Sequence, residues 1–302
     1  MSELRGTVLE RDGAAYRVLT DRGVLRAVLR GKAKRDDRDK IVVGDVVRLD
    51  PGPVGDVYGI VGMEERRSLL ARRVPEGRGA RPVAANVDRV FVVTAARDPE
   101  PVPQVIDRLL VVAEANDLPG VVILNKVDLD PGSALRERFE RAGYQVLATS
   151  ARSGLGIDTL RRELAGRTSV VTGPSGVGKS SLLNAVQPGL RLRVGEISAK
   201  LRRGRHTTVA AVMVPLEVGG FVVDTPGFSE VGLWDIEPED LDACFPEMRP
   251  YLGECRYADC RHVAEPRCAV LAAVQAGAID PDRLQSYHKL LEELEARPEA
   301  WE

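Results

Sequence analysis

The sequence predicts an α/β protein in three parts: a small OB-type β-barrel, a mainly parallel sheet with helices on both faces, and a mostly helical C-terminal region. Three observations predict it. Residues 1–73 carry short runs of β-formers with no helix between them, strand and helix patterns alternate from Val87 onward, and the texture changes again at Val231, where the chain becomes rich in proline and cysteine. A chain of 302 residues fits two or three domains. It is 44% hydrophobic and 29% charged, an ordinary globular balance, and no apolar run approaches the ~18 residues of a membrane span. The N-terminus lacks an apolar signal region, so a cytoplasmic location is expected.

In residues 1–73, Arg5–Glu10, Tyr16–Thr20, Val24–Leu29 and Ile41–Leu49 are strands, and Asp12-Gly13, Asp21–Gly23 and Pro51–Pro53 are the turns between them. A five-stranded OB-fold is the natural candidate. Residues 1–75 hold sixteen Lys and Arg against twelve Asp and Glu, and the loop Gly31–Lys40 is a candidate contact for nucleic acid. Ser68–Pro82, with four arginines, two prolines and two glycines, reads as a linker. Beyond it, strands at Val87–Thr94, Gly120–Asn125, Tyr144–Ala148, Ser169–Thr172 and Gly220–Asp224 alternate with helices at Val102–Asn116, Ser133–Ala142, Ile157–Leu164 and Lys179–Val186; a further strand at Val209–Val218 pairs with the last. The C-terminal region carries helices at Ala269–Ala276 and Pro281–Ala296.

The chemistry gathers at strand ends. Gly173, Pro174, Ser175, Gly176, Val177, Gly178, Lys179 and Ser180, followed by Ser181, lie between a strand and a helix, the context a phosphate loop requires. Its backbone amides and helix terminus suit a β-phosphate, Lys179 suits the β- and γ-phosphates, and the Ser180 hydroxyl suits Mg²⁺. Asn125, Lys126 and Asp128 follow another strand, and an Asp there can accept both N1–H and N2–H₂ of guanine, a donor pair that adenine lacks. Ser150 and Ala151 follow a third strand and suit the guanine O6. Asp224 and Gly227, in Asp-Thr-Pro-Gly, suit Mg²⁺ through water and the γ-phosphate; Thr208 or Thr207, in Gly204–Thr208, suits Mg²⁺ when GTP is bound, with Thr208 favoured.

The order of these elements is unusual. The guanine motifs precede the phosphate loop, which makes the central part a circularly permuted P-loop GTPase whose original termini are rejoined near Gly166–Thr168. The strand ending at Asp224 therefore leads into the C-terminal region. There Cys255, Cys260, His262 and Cys268 supply three thiolates and an imidazole, the set for one tetrahedral, structural Zn²⁺; Cys244 reads as a core residue. Disulfides are not expected of a cytosolic chain.

With Asn86-Val87-Asp88 added, these motifs make the whole chain resemble the RsgA (YjeQ) family of circularly permuted, ribosome-associated GTPases. The resemblance implies an OB domain (1–73), a permuted GTPase domain (74–230, with the linker at 68–82) and a zinc domain (231–302). It also implies late maturation of the small (30S) ribosomal subunit, with that subunit and its rRNA as partners and activators, and a monomeric protein is expected. Lys179, His206, Asp224 and Gly227 are the expected catalytic residues. His206 enters because Phe228 stands where many GTPases carry a water-orienting glutamine and the family places a histidine in that switch. Arg202, Arg203 and Arg205 suit either charge stabilisation or phosphate-backbone contacts. A second reading, from a different class, is an RNA-binding assembly scaffold with a structural nucleotide site; a zinc-bearing ATPase is a third, disfavoured by Asp128.

Overall fold

The structure is a computed structural model, and it describes residues 4–30, 41–50, 56–73, 80–190, 211–225 and 236–296. Five strands close the N-terminal barrel: β1 (Leu4–Asp12), β2 (Ala15–Thr20), β3 (Gly23–Leu29), β4 (Val46–Leu49) and β5 (Val57–Met63), in the order β1-β2-β3-β5-β4. Only β3 and β5 run parallel. Alternating residues fill the interior, with Val8, Val18, Ala27, Val47, Leu49 and Ile60 all buried. Gly6 lets β1 approach β2, since a Cβ there would lie 2.5 Å from the Leu19 carbonyl oxygen.

The expected linker at 68–82 is instead a hairpin: β6 (Leu69–Arg73) pairs antiparallel with β7 (Ala80–Ala85). Composition misled here because the apolar residues of the two strands outweigh their arginines and proline. Leu70 and Ala84 are fully buried in the main core, and a register shift between Leu70 and Ala71 accommodates Pro82. This ribbon straddles the expected boundary at 73/74, and the barrel itself ends at Met63.

The second sheet has six strands in the order β10-β9-β8-β11-β13-β12. They are β8 (Arg89–Ala95), β9 (Gly120–Asn125), β10 (Gln145–Ala148), β11 (Thr168–Thr172), β12 (Val212–Pro215) and β13 (Phe221–Asp224), all parallel except the edge strand β12. Successive residues of each buried strand face opposite ways, so Val90 and Val92 join one core while Phe91 and Val93 join another. Helices α1 (Pro103–Glu114) and α2 (Ser133–Arg141) cover the first face; α3 (Ile157–Leu164) and α4 (Lys179–Val186) cover the second.

The C-terminal region consists of short 3₁₀ turns, the cysteine-bearing loop, α5 (Ala269–Gln275) and α6 (Pro281–Glu295). Asp280 caps α6 by accepting from the Asp282 amide at 2.8 Å, with Pro281 in the first turn. Leu284, Tyr287, Leu290, Leu291 and Leu294 of α6 are buried in the same core as α1 and the sheet face, so the C-terminal region shares its core with the sheet.

Candidate functional site

Because five strands are parallel, their C-terminal ends share one edge of the sheet, where ligands of such sheets bind. That edge gathers Asn125–Asp128 after β9, Thr149–Ala151 after β10, Gly173–Ser180 after β11 and Asp224 after β13. Asn125 is the knot. Its amide donates to the Val177 carbonyl at 2.9 Å, and its Oδ1 accepts from Thr149 Oγ1 at 3.3 Å and Ala151 N at 3.4 Å. One buried side chain thus ties the two guanine-motif loops to the phosphate loop.

Gly178 is required by this contact: its φ is +97°, and a Cβ would stand 2.4 Å from Asn125 Nδ2. Val177 anchors the loop in the core behind it, while Ser175, Gly176, Ser180 and Ser181 stay exposed. Lys179 Nζ donates to the carbonyls of Gly173 (2.5 Å) and Pro174 (2.6 Å). Burial lowers the Lys179 pKa, and the Asp224 carboxylate partly opposes that shift. Asp128 is exposed; Ser150 Oγ donates to its Oδ1 at 2.5 Å and so orients the carboxylate. Lys126 has a positive φ and donates its ammonium to the Asp98 carbonyl, a contact that the sequence does not signal. His206, Thr207, Thr208, Gly227 and Phe228 lie outside the described residues.

The second cluster is Cys255, Cys260, His262 and Cys268, whose ligand atoms all lie within 4.8 Å of one another. His262 Nδ1 is 3.6 Å from Cys255 Sγ and 3.3 Å from Cys268 Sγ, and the Cys255 and Cys268 sulfurs are 3.8 Å apart. Tetrahedral zinc with ordinary bond lengths separates its ligands by about 3.5–3.8 Å, so the residues fit the ion. Asp242, which sequence reasoning missed for lack of any spacing signal, bonds His262 Nε2 at 3.1 Å and turns Nδ1 toward the thiols. Burial opposes a charge on the His262 ring, but Asp242 and the thiols outweigh it and push its pKa up to about 9. Cys268 also caps α5, its sulfur accepting from the Leu271 amide at 3.4 Å. Cys244 stands apart: it is buried beside Phe245 in the core, as expected, and burial pushes its thiol up to about 12.

Comparison with known proteins matches residues 63–234 to the family described as RsgA GTPase. "Small ribosomal subunit biogenesis GTPase RsgA" of Gemmatimonas aurantiaca is 46% identical over 97% of this chain and 98% of its own length. The protein of the same name from Moorella thermoacetica is 44% identical, again over 97% and 98%. Among solved structures, YjeQ from Thermotoga maritima superposes with a TM-score of 0.79 at 36% identity, covering 98% of this chain and 100% of that one. YloQ, described as a circularly permuted GTPase, superposes with a TM-score of 0.77 at 28% identity, covering 99% and 98%.

Proposed function

This chain belongs to the RsgA GTPase family, and from that premise we propose that it acts in late maturation of the small (30S) ribosomal subunit, which stimulates its hydrolysis of GTP. It is a GTPase, forming GDP and phosphate. The single observation that carries the chemistry is the Asn125 junction, which holds the guanine-reading loops and the phosphate loop as one unit. Asp128 takes the guanine donors, Lys126 flanks the base, and Ser150 and Ala151 line O6. Amides from Gly173 to Gly178 hold the β-phosphate, and Lys179 draws charge from the β- and γ-oxygens.

Ser180, Thr208 and Asp224 are the groups to hold Mg²⁺, which when bound neutralises the phosphate oxygens. The Gly227 amide senses the γ-phosphate. Phe228 has no group to orient the attacking water, so His206 is assigned that task, completed when the partner engages. Cys255, Cys260, His262 and Cys268 hold one structural zinc with no open position. The barrel contacts rRNA, the GTPase part follows it, and residues 231–302 form the zinc domain. No helix among the described residues is long and apolar enough to cross a membrane, and a monomeric cytoplasmic protein fits this reading.

GTP and ATP turnover with and without purified 30S subunits test it. GTP turnover is expected to be slow alone and faster with subunits, with ATP inert and Lys179→Ala inactive. No GTP turnover under any condition would favour a scaffold instead. Full stimulated turnover by His206→Ala would remove His206 from the mechanism.

A further inference from the structure

Asn86-Val87-Asp88 has no task in the chemistry above, yet the Asn86 and Asp88 side chains bridge the barrel, the segment after it and β11. Asn86, held at φ +56°, donates from Nδ2 to the Gly44 carbonyl of the barrel at 2.8 Å and accepts at Oδ1 from the Arg67 amide at 2.8 Å. Barrel and ribbon touch closely here, since a Cβ on Gly44 would lie 2.1 Å from the Ala85 oxygen. Arg66 grips the buried barrel residue Asp45 at 2.7 and 2.9 Å, while the next residue, Arg67, grips Asp88 at 2.9 Å. Asp88 in turn accepts from the Thr168 amide at 2.7 Å, and its own amide donates to the Thr168 carbonyl at 2.8 Å.

Thr168 opens β11, and β11 ends at Thr172, directly before Gly173 of the phosphate loop. A five-residue strand spans about 16 Å, and β11, held between β8 and β13, links the joint directly to the phosphate loop. The joint at its foot is polar and partly exposed, with the Arg67 side chain 68% and Asp88 26% accessible. Such contacts can shift at small cost, whereas the neighbouring Leu70 and Ala84, packed in the main core, hold the ribbon itself in place. Phosphoryl transfer, at the other end of β11, is sensitive to displacements of about 1 Å.

We propose that Asn86, Asp88 and Arg67 are positioning residues that carry the state of the barrel through β11 to the phosphate loop, so that a partner held by the barrel accelerates hydrolysis. This rests on the reading that the 30S subunit stimulates the enzyme.

The test uses the full chain with purified 30S subunits, and measured coupling is its criterion. Asn86→Gly keeps the left-handed backbone and deletes both side-chain bonds. Its basal kcat, its KM for GTP and its cosedimentation with subunits are expected to match the parent, with a thermal midpoint slightly lowered by the two lost hydrogen bonds. Its subunit-stimulated kcat is expected to fall about tenfold, the size of an ordinary coupling between sites. Arg67→Ala, at an exposed position, keeps the test decisive should Asn86→Gly misfold; it is expected to lose stimulation, with partial rescue by Arg67→Lys. Undiminished stimulation in variants that bind subunits overturns the coupling, as does an equal fall in basal and stimulated rates. A parent protein that subunits fail to accelerate overturns the functional reading first, and the coupling with it.

Discussion

At the barrel seam Arg66 holds the buried Asp45, but the arginine that meets the sheet is Arg67, whose side chain is 68% exposed. At the seam between the sheet and the C-terminal region it is Arg283, which is completely buried. Arg283 donates to Asp107 of α1 at 2.7 Å and to both oxygens of Glu247 at 2.5 and 3.0 Å, and it lies 4.6 Å from the centre of the Phe245 ring. Arg138 completes the cluster by donating to the other Asp107 oxygen at 2.9 Å. The same ion-pair chemistry therefore makes two different joints. In water it adds little stability and can rearrange, whereas in a dry core an unpaired partner is so costly that the pieces stay together. A seam of the first kind suits transmission, and one of the second kind suits a fixed frame.

Metal removal should separate the seams most widely, because zinc binding contributes roughly 10–16 kcal/mol in isolated modules. The cluster is fastened to α6, with Tyr287 Oη donating to the Arg261 carbonyl at 3.1 Å and the His288 ring bonded to the His262 carbonyl at 2.8 Å. Chelation should release one zinc per chain and strip hydrogen-exchange protection from α6 but not from β1–β5. Loss of protection in both regions would mean the seams are not independent.

Next in size is Arg283→Ala, which strands Glu247 in the core and leaves Asp107 with Arg138 alone, and should cost about 3–5 kcal/mol in urea unfolding. A loss below about 1 kcal/mol would show that charge does not lock this seam. Arg67→Ala should cost at most about 1 kcal/mol in the same measurement, and a larger loss would erase the contrast between the joints.

The smallest effect concerns Cys244, whose burial raises its thiol to about 12. A thiol raised on folding adds stability below its unfolded pKa, near 9, and that stability is lost as pH climbs through about 12. Alkylation of Cys244 at pH 8 should accordingly be negligible in the folded protein and appear in Arg283→Ala. Rapid alkylation in the parent chain would show that the seam opens on its own.

Most elements were legible from periodicity, because buried parallel strands such as Val121–Leu124 are continuous apolar runs and α1 repeats its apolar residues at helical spacing. The ribbon β6–β7 was not. The stretch Ser68–Pro82, with its arginines, prolines and glycines, carries the composition of a linker, and only the burial of Leu70 and Ala84 against the sheet marks the two strands. At the site, the phosphate loop, Asn125–Asp128 and the clustered Cys255, Cys260, His262 and Cys268 announce themselves in short windows. Asp242 and the Asp98 carbonyl do not, since each serves a residue at least 20 positions away.

What the sequence alone determined is therefore the make-up of contiguous segments: a glycine-rich loop between strand and helix, an Asn-Lys-x-Asp turn and a set of three Cys and one His, each defined by residue type at fixed covalent spacing. Only the tertiary structure decided how those segments are joined. Asp88 meets Thr168 80 residues on, and Asp107 meets Arg283 176 residues on. Such pairs depend on which faces the packed core brings together, and on whether it leaves their charges wet or dry. Local spacing encodes neither.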